Sequence, residues 1–406
     1  MATAQLVPLP PEDAIRFMEV RGRRLSPSFA WQDAYAAEHA RMFTVAKSAG
    51  FDILQDVFDG LSKALSEGRT PQQFARELTP LLKAKGWWGR QMVEDPATGE
   101  ERPAQLGSTR RLETIFDTNM RVSYAAGHWA DFERNKRTRP YLRYVALLDD
   151  RTRPAHRARH NLVLPVEHPY WEKWAPPCGW NCRCTLQSLS QREVDKLKAE
   201  GELLKFEPPE DTYRSWVNKR TGEMRDIPDG IDPGWDYNPG RVGAAVAINE
   251  ALAQKAAGAP YELLEPLVAE RVRSDAFARF VAKPEGTMPV MPIPPQIGDA
   301  LGTPARVALL SSETMQKQLR NHPELTLADY RLLPSIGANP TIVFQDGPNT
   351  VVLVKATGGR WWYVAAKATK TAKAAFVTSF RFAKDENIRR LLSRPGLKVI
   401  LDTREE

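Results

Sequence analysis

The sequence predicts two kinds of fold along one chain. The N-terminal part reads as a mostly α-helical domain with a small loop-rich α+β region, and the C-terminal part as an α+β domain with a four-stranded antiparallel sheet. Three observations support this: apolar residues recur at helical spacing through the first third, prolines crowd one later stretch, and strand-like runs with short turns follow it. The predicted segments are a helical domain (1–202), an irregular and helical extension (203–282), a linker (283–299) and a basic domain (300–406).

The bulk composition predicts a globular, soluble chain with several domains. A length of 406 residues is enough for two or three separate cores, and 42% of the residues are hydrophobic. The sequence contains no apolar run of the roughly 18 to 20 residues that span a bilayer. The first residues lack a charged start followed by an apolar stretch, so we expect no secretory signal, synthesis in the cytoplasm and no membrane partner.

Helices dominate the expected structure of the first 135 residues. Pro11, Glu12 and Asp13 open one helix with acids in its first turn, and Thr70 followed by Pro71 has the pattern of an N-cap with proline at the first helical position. Apolar spacing predicts helices over 31–47, 51–65, 70–82 and 108–135.

The rest of the first 282 residues mixes short elements with turns. The polar stretch 94–107 suits a hairpin or an arm, and 141–149 is the clearest strand of this half. Loops are expected over 150–188, a helix over 190–201, turns over 203–242, and helices over 243–256 and 260–282.

The C-terminal domain is expected to begin with helices and to continue as a sheet. Prolines in 283–299 exclude a continuous helix or a central strand, which favours a linker there. Helices are predicted over 312–320, 326–331 and 385–393, and strands over 341–346, 350–357, 360–369 and 374–383.

The net positive charge of the chain comes from its last quarter. Residues 301–406 carry 16 Lys and Arg against 9 Asp and Glu, while the whole chain has a net charge of +7. The remaining residues are therefore neutral overall. A cationic domain on a neutral body indicates a polyanion such as nucleic acid as partner, and a merely solvated basic surface is the alternative.

A distinctive run of residues occupies the middle of the chain. It reads D-D-R-T-R-P-A-H at 149–156, then a proline-rich loop, then G-W-N-C-R-C at 179–184. This run resembles the central signature of the Mu F-type, or SPP1-type, phage head-morphogenesis proteins. The segments 43–56 and 116–129 resemble the helices that precede that signature, and the resemblance covers roughly residues 10–240.

The resemblance implies a minor head protein of a tailed phage. Such a protein is expected at or near the portal vertex or inside the capsid, and in the host cytoplasm during assembly. Its partners would be the portal and major capsid proteins, and its role would lie in head assembly and in DNA packaging or ejection. Some members of the family carry a toxin-like or nuclease-like C-terminal extension.

Histidine and cysteine residues in the signature form a candidate metal site. His156, Cys182 and Cys184, with Asp150 upstream, provide the nitrogen, sulfur and oxygen donors that a structural Zn²⁺ ion uses. The Cys-x-Cys spacing is tighter than the spacing of common zinc sites, which counts against a metal site. The alternative is a hydrogen-bonded network of Asp150, Arg153 and His156, with the cysteines as small buried residues.

A nucleophilic role for Cys178 or Cys182 beside a histidine is a further alternative for the signature region. Nothing in the sequence orients such a pair.

The opening of the C-terminal domain, 311–334, resembles that of small phage-associated nuclease domains, whose fold is related to the barnase, EndoU, colicin and RelE nucleases. In metal-free RNA cleavage a group that titrates near neutrality moves protons, and cations stabilise the charge on phosphate. His322 is therefore assigned as general acid or base, with Lys317, Lys355 and Arg381 as phosphate ligands and Ser379 as a hydrogen-bond donor.

Two other readings of the same domain remain open. It could act as an inactive module that binds nucleic acid or protein, with Trp361 to Tyr363 stacking on a base. Alternatively, His322 before Pro323 simply ends a helix, and the aromatic cluster belongs to the core.

Overall fold

A computed structural model describes residues 11–48, 50–96, 98–284, 286–393 and 397–404. The chain divides into two compact units, Met1–Ala247 and Ile248–Glu406. The sequence predicted four segments instead. The first ten residues, where a secretory signal would lie, are outside the described residues.

Helices form most of the first unit. The α-helices are α1 (Glu12–Gly22), α2 (Phe51–Glu67), α3 (Pro71–Ala84), α4 (Thr109–Asn135), α5 (Pro154–Ala158), α6 (Trp171–Trp174), α7 (Gln191–Ala199) and α8 (Pro239–Gly258), the last of which contains the boundary between the units. None of the helices in the described part of the chain has both the length and the apolar character that a membrane crossing requires.

The strands of the first unit form three small antiparallel sheets. They are β1 (Arg90–Glu94), β2 (Glu101–Gln105), β3 (Tyr141–Val145), β4 (Val163–Pro165), β5 (Thr185–Leu189), β6 (Tyr213–Val217) and β7 (Met224–Pro228). Two are hairpins, β1–β2 and β6–β7, and the third has the order β4-β3-β5. The first hairpin confirms the arm expected over 94–107.

Capping explains why several predicted helices begin where they do. Thr70 accepts a hydrogen bond from the Gln73 backbone, and the Gln73 side chain accepts one from the Thr70 backbone, so both ends of this capping box are satisfied. Ser108 caps α4 through the backbone N–H of Arg111. The predicted starts of α3 and α4 are therefore confirmed.

The helix predicted over 31–47 is wrong. This range contains only two 3-10 turns, Trp31–Asp33 and Ala36–Ala40. The Asp33 carboxylate accepts hydrogen bonds from the backbone of residues 29 and 30, and the Glu38 carboxylate accepts one from that of Tyr35. Such local bonds compete with helix formation. The rings of Trp31 and Tyr35 stack on Trp216 instead of lying along a helix face.

The second unit is an α+β domain around one large mixed sheet. Its helices are α9 (Leu264–Arg273), α10 (Asp275–Ala282), α11 (Pro295–Leu301), α12 (Ser312–Asn321), α13 (Leu327–Tyr330), α14 (Leu333–Ala338) and α15 (Asp385–Leu392). Its strands are β8 (Thr287–Pro292), β9 (Val307–Ser311), β10 (Ile342–Gln345), β11 (Thr350–Thr357), β12 (Arg360–Ala368), β13 (Ala375–Ala383) and β14 (Lys398–Asp402).

The sheet of the second unit has seven strands, not the four that the sequence predicts. Their order is β14-β10-β11-β12-β13-β9-β8, and only the β13–β9 pair is parallel. The four predicted strands are its contiguous centre, β10 to β13. The additional strands are short, and apolar runs of that length do not by themselves distinguish a strand from a helix.

The predicted linker over 283–299 is also wrong, because β8 and the start of α11 occupy it. Pro289 and Pro292 are tolerated because β8 is an edge strand, where a missing backbone N–H costs least. Val290 and Met291 are fully buried in the main core of the unit. The proline-rich range is therefore part of the domain.

Each face of this sheet has its own core. On one face, residues such as Val351, Leu353 and Val364 pack with α9, α12 and α14. On the other face, Val352 and Val354 share a smaller core with Ile388 of α15. Alternation thus assigns the buried residues of β11 to one core or the other in turn.

Candidate metal centre in the first unit

The signature residues lie around one end of the β4-β3-β5 sheet. Val145 at the end of β3 pairs with Thr185 at the start of β5. The chain that leaves β3 and the chain that enters β5 are therefore adjacent, which places Cys184 beside the loop that leads to α5. Pro154 begins α5 at its first helical position, and His156 lies within that short helix.

His156, Cys182 and Cys184 form a compact cluster of donor atoms. Their ligand atoms all lie within 4.8 Å of one another. The Nδ1 atom of His156 is 3.8 Å from the Sγ atom of Cys182 and 3.6 Å from that of Cys184. His156 and Cys182 are buried and Cys184 is half-buried, so three of the four residues predicted as metal ligands come together.

The backbone turns immediately before Cys182, and the sulfurs of Cys182 and Cys184 both lie near the His156 ring. Asn181 has a positive φ of 58°, and the backbone N–H of Cys182 donates to the carbonyl oxygen of Gly179 at 3.2 Å. The chain is therefore turned, not extended, as it reaches Cys182. Both sulfurs reach the same histidine despite the tight Cys-x-Cys spacing, since residues two apart along a chain can lie on one face.

The ring of His156 is held in one orientation. Its Nε2 atom lies 2.9 Å from the carbonyl oxygen of Gly230, and its edge meets the face of Trp174. Because a carbonyl only accepts, Nε2 carries the hydrogen and Nδ1 presents a lone pair to the sulfurs. Gly230 has a φ of +100°, and a Cβ there would lie 2.5 Å from Ala155, so only glycine fits this contact.

The thiols interact strongly with one another. A hydrogen bond with Cys184 lowers the pKa of Cys182, and the same bond raises the pKa of Cys184. Burial raises the pKa of Cys178, which lies close by. Tyr144 is fully buried, and its hydroxyl lies beside Cys178 and Cys184.

Asp150, the fourth predicted ligand, lies outside the cluster and is exposed. Its neighbour Asp149 binds Arg183 instead, with 2.7 Å between Oδ2 and Nη1, and this guanidinium holds the pKa of Asp149 well below its usual range. The predicted alternative network of Asp150, Arg153 and His156 is not formed either, because Arg153 pairs with Asp232 at 2.8 Å.

Two residues of the site were not predicted from the sequence. Gly230 and Asp232 lie in a turn-rich stretch more than 70 residues after His156, where they hold the ring of His156 and the guanidinium of Arg153. The only signal was the density of Pro, Gly and Asp over 228–239, which predicts turns but no partner.

A cavity of about 180 Å³ adjoins the cluster. Cys182 and Cys184 form part of its wall, together with residues of α4 that include Arg121 and His128. The two sulfurs therefore border a space large enough for solvent.

The residues predicted for ribonuclease chemistry are divided between the two faces of the large sheet. Lys355 alternates with Val354 and so lies on the side of Leu353, where its ammonium donates to the carbonyl oxygens of Ser335 and Asn339 at 3.2 and 2.6 Å. Burial lowers the pKa of this lysine.

Ser379 and Arg381 lie on the opposite face. They are cross-strand partners of Ala365 and Tyr363, which belong to the core on the side of α15. Arg381 lies over the Tyr363 ring at 4.3 Å from its centroid.

Lys317 in α12 and His322 at the C-terminal end of that helix lie on the same side of the sheet as Lys355. His322 follows the last residue of the helix and lies 3.2 Å from Glu324, and Lys317 is exposed. The sheet therefore separates Ser379 and Arg381 from His322, Lys317 and Lys355.

Comparison with known proteins identifies the family. A family profile described as "Phage Mu protein F like protein" matches residues 55–187, which include the whole His-Cys cluster. A protein named "Putative capsid assembly protein F", from Escherichia phage Mu, is 31% identical over 405 residues, covering 91% of this chain and 87% of that protein. A "Mu-like prophage FluMu F protein" from Haemophilus influenzae is 31% identical over 364 residues, covering 80% of this chain and 86% of that protein.

No solved structure matches the chain. The profile match agrees with the resemblance of the signature at 149–184. The two relatives align with residues of both units. The chain belongs to the family of phage Mu protein F-like proteins.

Proposed function

We propose that this chain is a minor capsid assembly protein of a tailed phage, which acts at or near the portal during head assembly and DNA packaging or ejection. One observation supports this most strongly. The relative named as a putative capsid assembly protein aligns with 91% of the chain, so both units have counterparts in it. The protein would be found in the virion and, during assembly, in the host cytoplasm.

The two hairpins of the first unit supply surfaces for binding to head proteins. Each is a two-stranded sheet, so each strand has an edge without a partner in its own sheet. Unpaired edges can accept a strand from another protein. The β6–β7 hairpin also exposes apolar side chains, including the cross-strand pair Val217 and Met224, which are 48% and 69% exposed. We assign this hairpin to contacts with the portal or the major capsid protein.

The test is to express the chain with the major capsid and portal proteins of the same phage, and to repeat the assembly without the portal protein. Heads are isolated by sedimentation, and the chain is quantified in them. We expect the chain in heads that contain portal and a strong reduction without it. Equal amounts in both would refute the portal assignment, and absence from both would refute the assembly role.

A pair of charge variants tests the hairpin. Val217→Lys combined with Met224→Lys is expected to reduce incorporation, because charge on an apolar contact surface must be desolvated on binding. Leu263→Lys, at a residue of the second unit that is 55% exposed, is the control and should assemble normally. Equal incorporation of both variants would exclude the hairpin as the contact.

The second unit is a candidate for binding packaged nucleic acid without cleaving it. The charge of residues 301–406 favours this, and Lys367, Lys370 and Lys373 lie exposed at or near the turn between β12 and β13. The separation of His322 from Ser379 and Arg381 argues against ribonuclease chemistry.

Binding of the full-length protein to DNA and RNA, measured across salt concentrations, tests this role. The triple change Lys367→Gln, Lys370→Gln and Lys373→Gln should weaken binding and flatten its salt dependence, because fewer counterions are released. The control is the triple change Lys63→Gln, Lys196→Gln and Lys219→Gln at exposed lysines of the first unit, which removes the same charge. Cleavage of RNA that is lost in His322→Ala would instead establish the ribonuclease alternative.

A further inference from the structure

We propose that His156, Cys182 and Cys184 bind one Zn²⁺ ion, with His156 coordinating through Nδ1. The site is independent of the assembly role, because it rests only on the geometry of the signature region.

The distances between the donor atoms match those of tetrahedral zinc. With Zn–N and Zn–S bonds of about 2.0 and 2.3 Å, a tetrahedral site places nitrogen and sulfur roughly 3.5 Å apart. The two observed separations, from Nδ1 of His156 to Sγ of Cys184 and of Cys182, are 3.6 and 3.8 Å. The lone pair on Nδ1 can accept a proton from only one thiol at a time, whereas a metal ion accounts for both short distances.

The surroundings of His156 are those of a metal-bound imidazole. A ligating histidine almost always donates its second ring N–H to a carbonyl or carboxylate, which fixes the ring and increases its basicity. The Gly230 carbonyl occupies that position at 2.9 Å, and Trp174 packs against the ring. The free nitrogen is thereby directed at the two sulfurs.

The remaining features of the site complete the coordination. A solvent molecule from the cavity bordered by Cys182 and Cys184 takes the fourth position. The Tyr144 hydroxyl is buried beside Cys184 and can donate to a metal-bound thiolate. The ion would join α5 to the loop before β5, and the Gly230 contact would extend this link to a third segment.

The metal content of the full-length protein, purified without a metal-affinity tag or chelator, tests the proposal. We expect one zinc per chain in the wild type and its loss in Cys182→Ser, Cys184→Ser and His156→Gln. Cys178→Ser, a change at a neighbouring buried cysteine outside the cluster, and Asp150→Asn should retain the metal. A wild type without zinc, or cluster variants that keep it, would overturn the proposal.

Cobalt substitution keeps the test decisive if the cluster variants do not fold. Wild-type protein is stripped with a chelator and titrated with Co²⁺. Two thiolates and one imidazole in a tetrahedral site should give strong sulfur-to-cobalt charge-transfer absorption and intense visible bands, which Zn²⁺ should abolish and Mg²⁺ should leave unchanged. Weak bands of octahedral cobalt, or no binding, would refute the site.

Discussion

At the level of single residues, contacts between side chains decide which donor atoms reach the candidate metal site. His156, Cys182 and Cys184 were identified because their side chains are metal donors, and the structure brings them together. Asp150 was identified for the same reason but lies apart, because Arg183 binds its neighbour Asp149. Whether Asp149 or Asp150 pairs with Arg183 depends on how the folded chain places that arginine, which the local sequence does not show.

A well-buried ion pair of the first unit was not predicted at all. Arg159 binds Asp211 at 2.6 Å, and their side chains are only 5% and 14% exposed. The guanidinium lies over Trp174, whose indole N–H also donates to Asp211. These two charged residues are 52 positions apart, and nothing in their neighbourhoods signals the pairing.

Breaking this pair is expected to destabilise the first unit strongly. Arg159→Met leaves the Asp211 carboxylate buried without its cation and should lower the free energy of unfolding by roughly 3–5 kcal/mol. Urea denaturation measures the change. The control is Arg389→Met, which breaks the exposed pair with Asp385 and should cost about 1 kcal/mol or less. Equal effects of the two changes would contradict a structural role for Arg159.

At the level of helices and strands, elements with a local cause were predicted well. The caps at Thr70 and Ser108 define the starts of α3 and α4, and alternation and turns define β10 to β13. The failures at 31–47 and 283–299 have distant causes. Contacts with Trp216 prevent a helix in the first range, and partners in the core of the second unit convert the second range into a strand.

The capping box of α7 leads to a prediction about pH. Glu193 accepts hydrogen bonds from the hydroxyl and the backbone N–H of Ser190, and from Arg139. These bonds lower the pKa of Glu193 to about 2, with the Ser190 hydroxyl contributing most. Because the pKa is lower in the folded chain, the stabilisation of α7 is complete above pH 4.5 and is lost as the pH falls through about 2.

NMR titration of the Glu193 carboxyl carbon measures this pKa directly. Ser190→Ala should move the midpoint up toward the ordinary glutamate value of 4.5. Gln191→Ala, at the next residue, is the control and should leave the midpoint unchanged. An ordinary midpoint in the wild type would show that the box does not form in solution.

At the level of the whole molecule, the sequence located two differently built parts but placed their boundary too far along the chain. The composition changes near residue 283, whereas the second unit begins at Ile248. Residues of α9, α10 and β8, among them Val268, Phe277 and Val290, belong to the same core as the central strands. A change in composition marks a change in local structure, not the limit of a core.

This boundary predicts which C-terminal fragment folds alone. Fragment 248–406 contains the complete main core and should unfold cooperatively, with protected amides in the sheet. Fragment 300–406 lacks β8, α9 and α10, which leaves the β9 edge unpaired and part of the main core missing, and should show no cooperative transition. Circular dichroism during denaturation and hydrogen exchange distinguish them. Cooperative unfolding of the shorter fragment would restore the boundary predicted from the sequence.

The number of copies of this chain in assembled heads tests the central claim most directly. Quantitative mass spectrometry of purified heads gives its ratio to the major capsid protein. A minor capsid assembly protein at or near the portal should be present reproducibly, at a small fraction of the major capsid protein. Absence from purified heads, or an amount equal to that of the major capsid protein, would contradict the account.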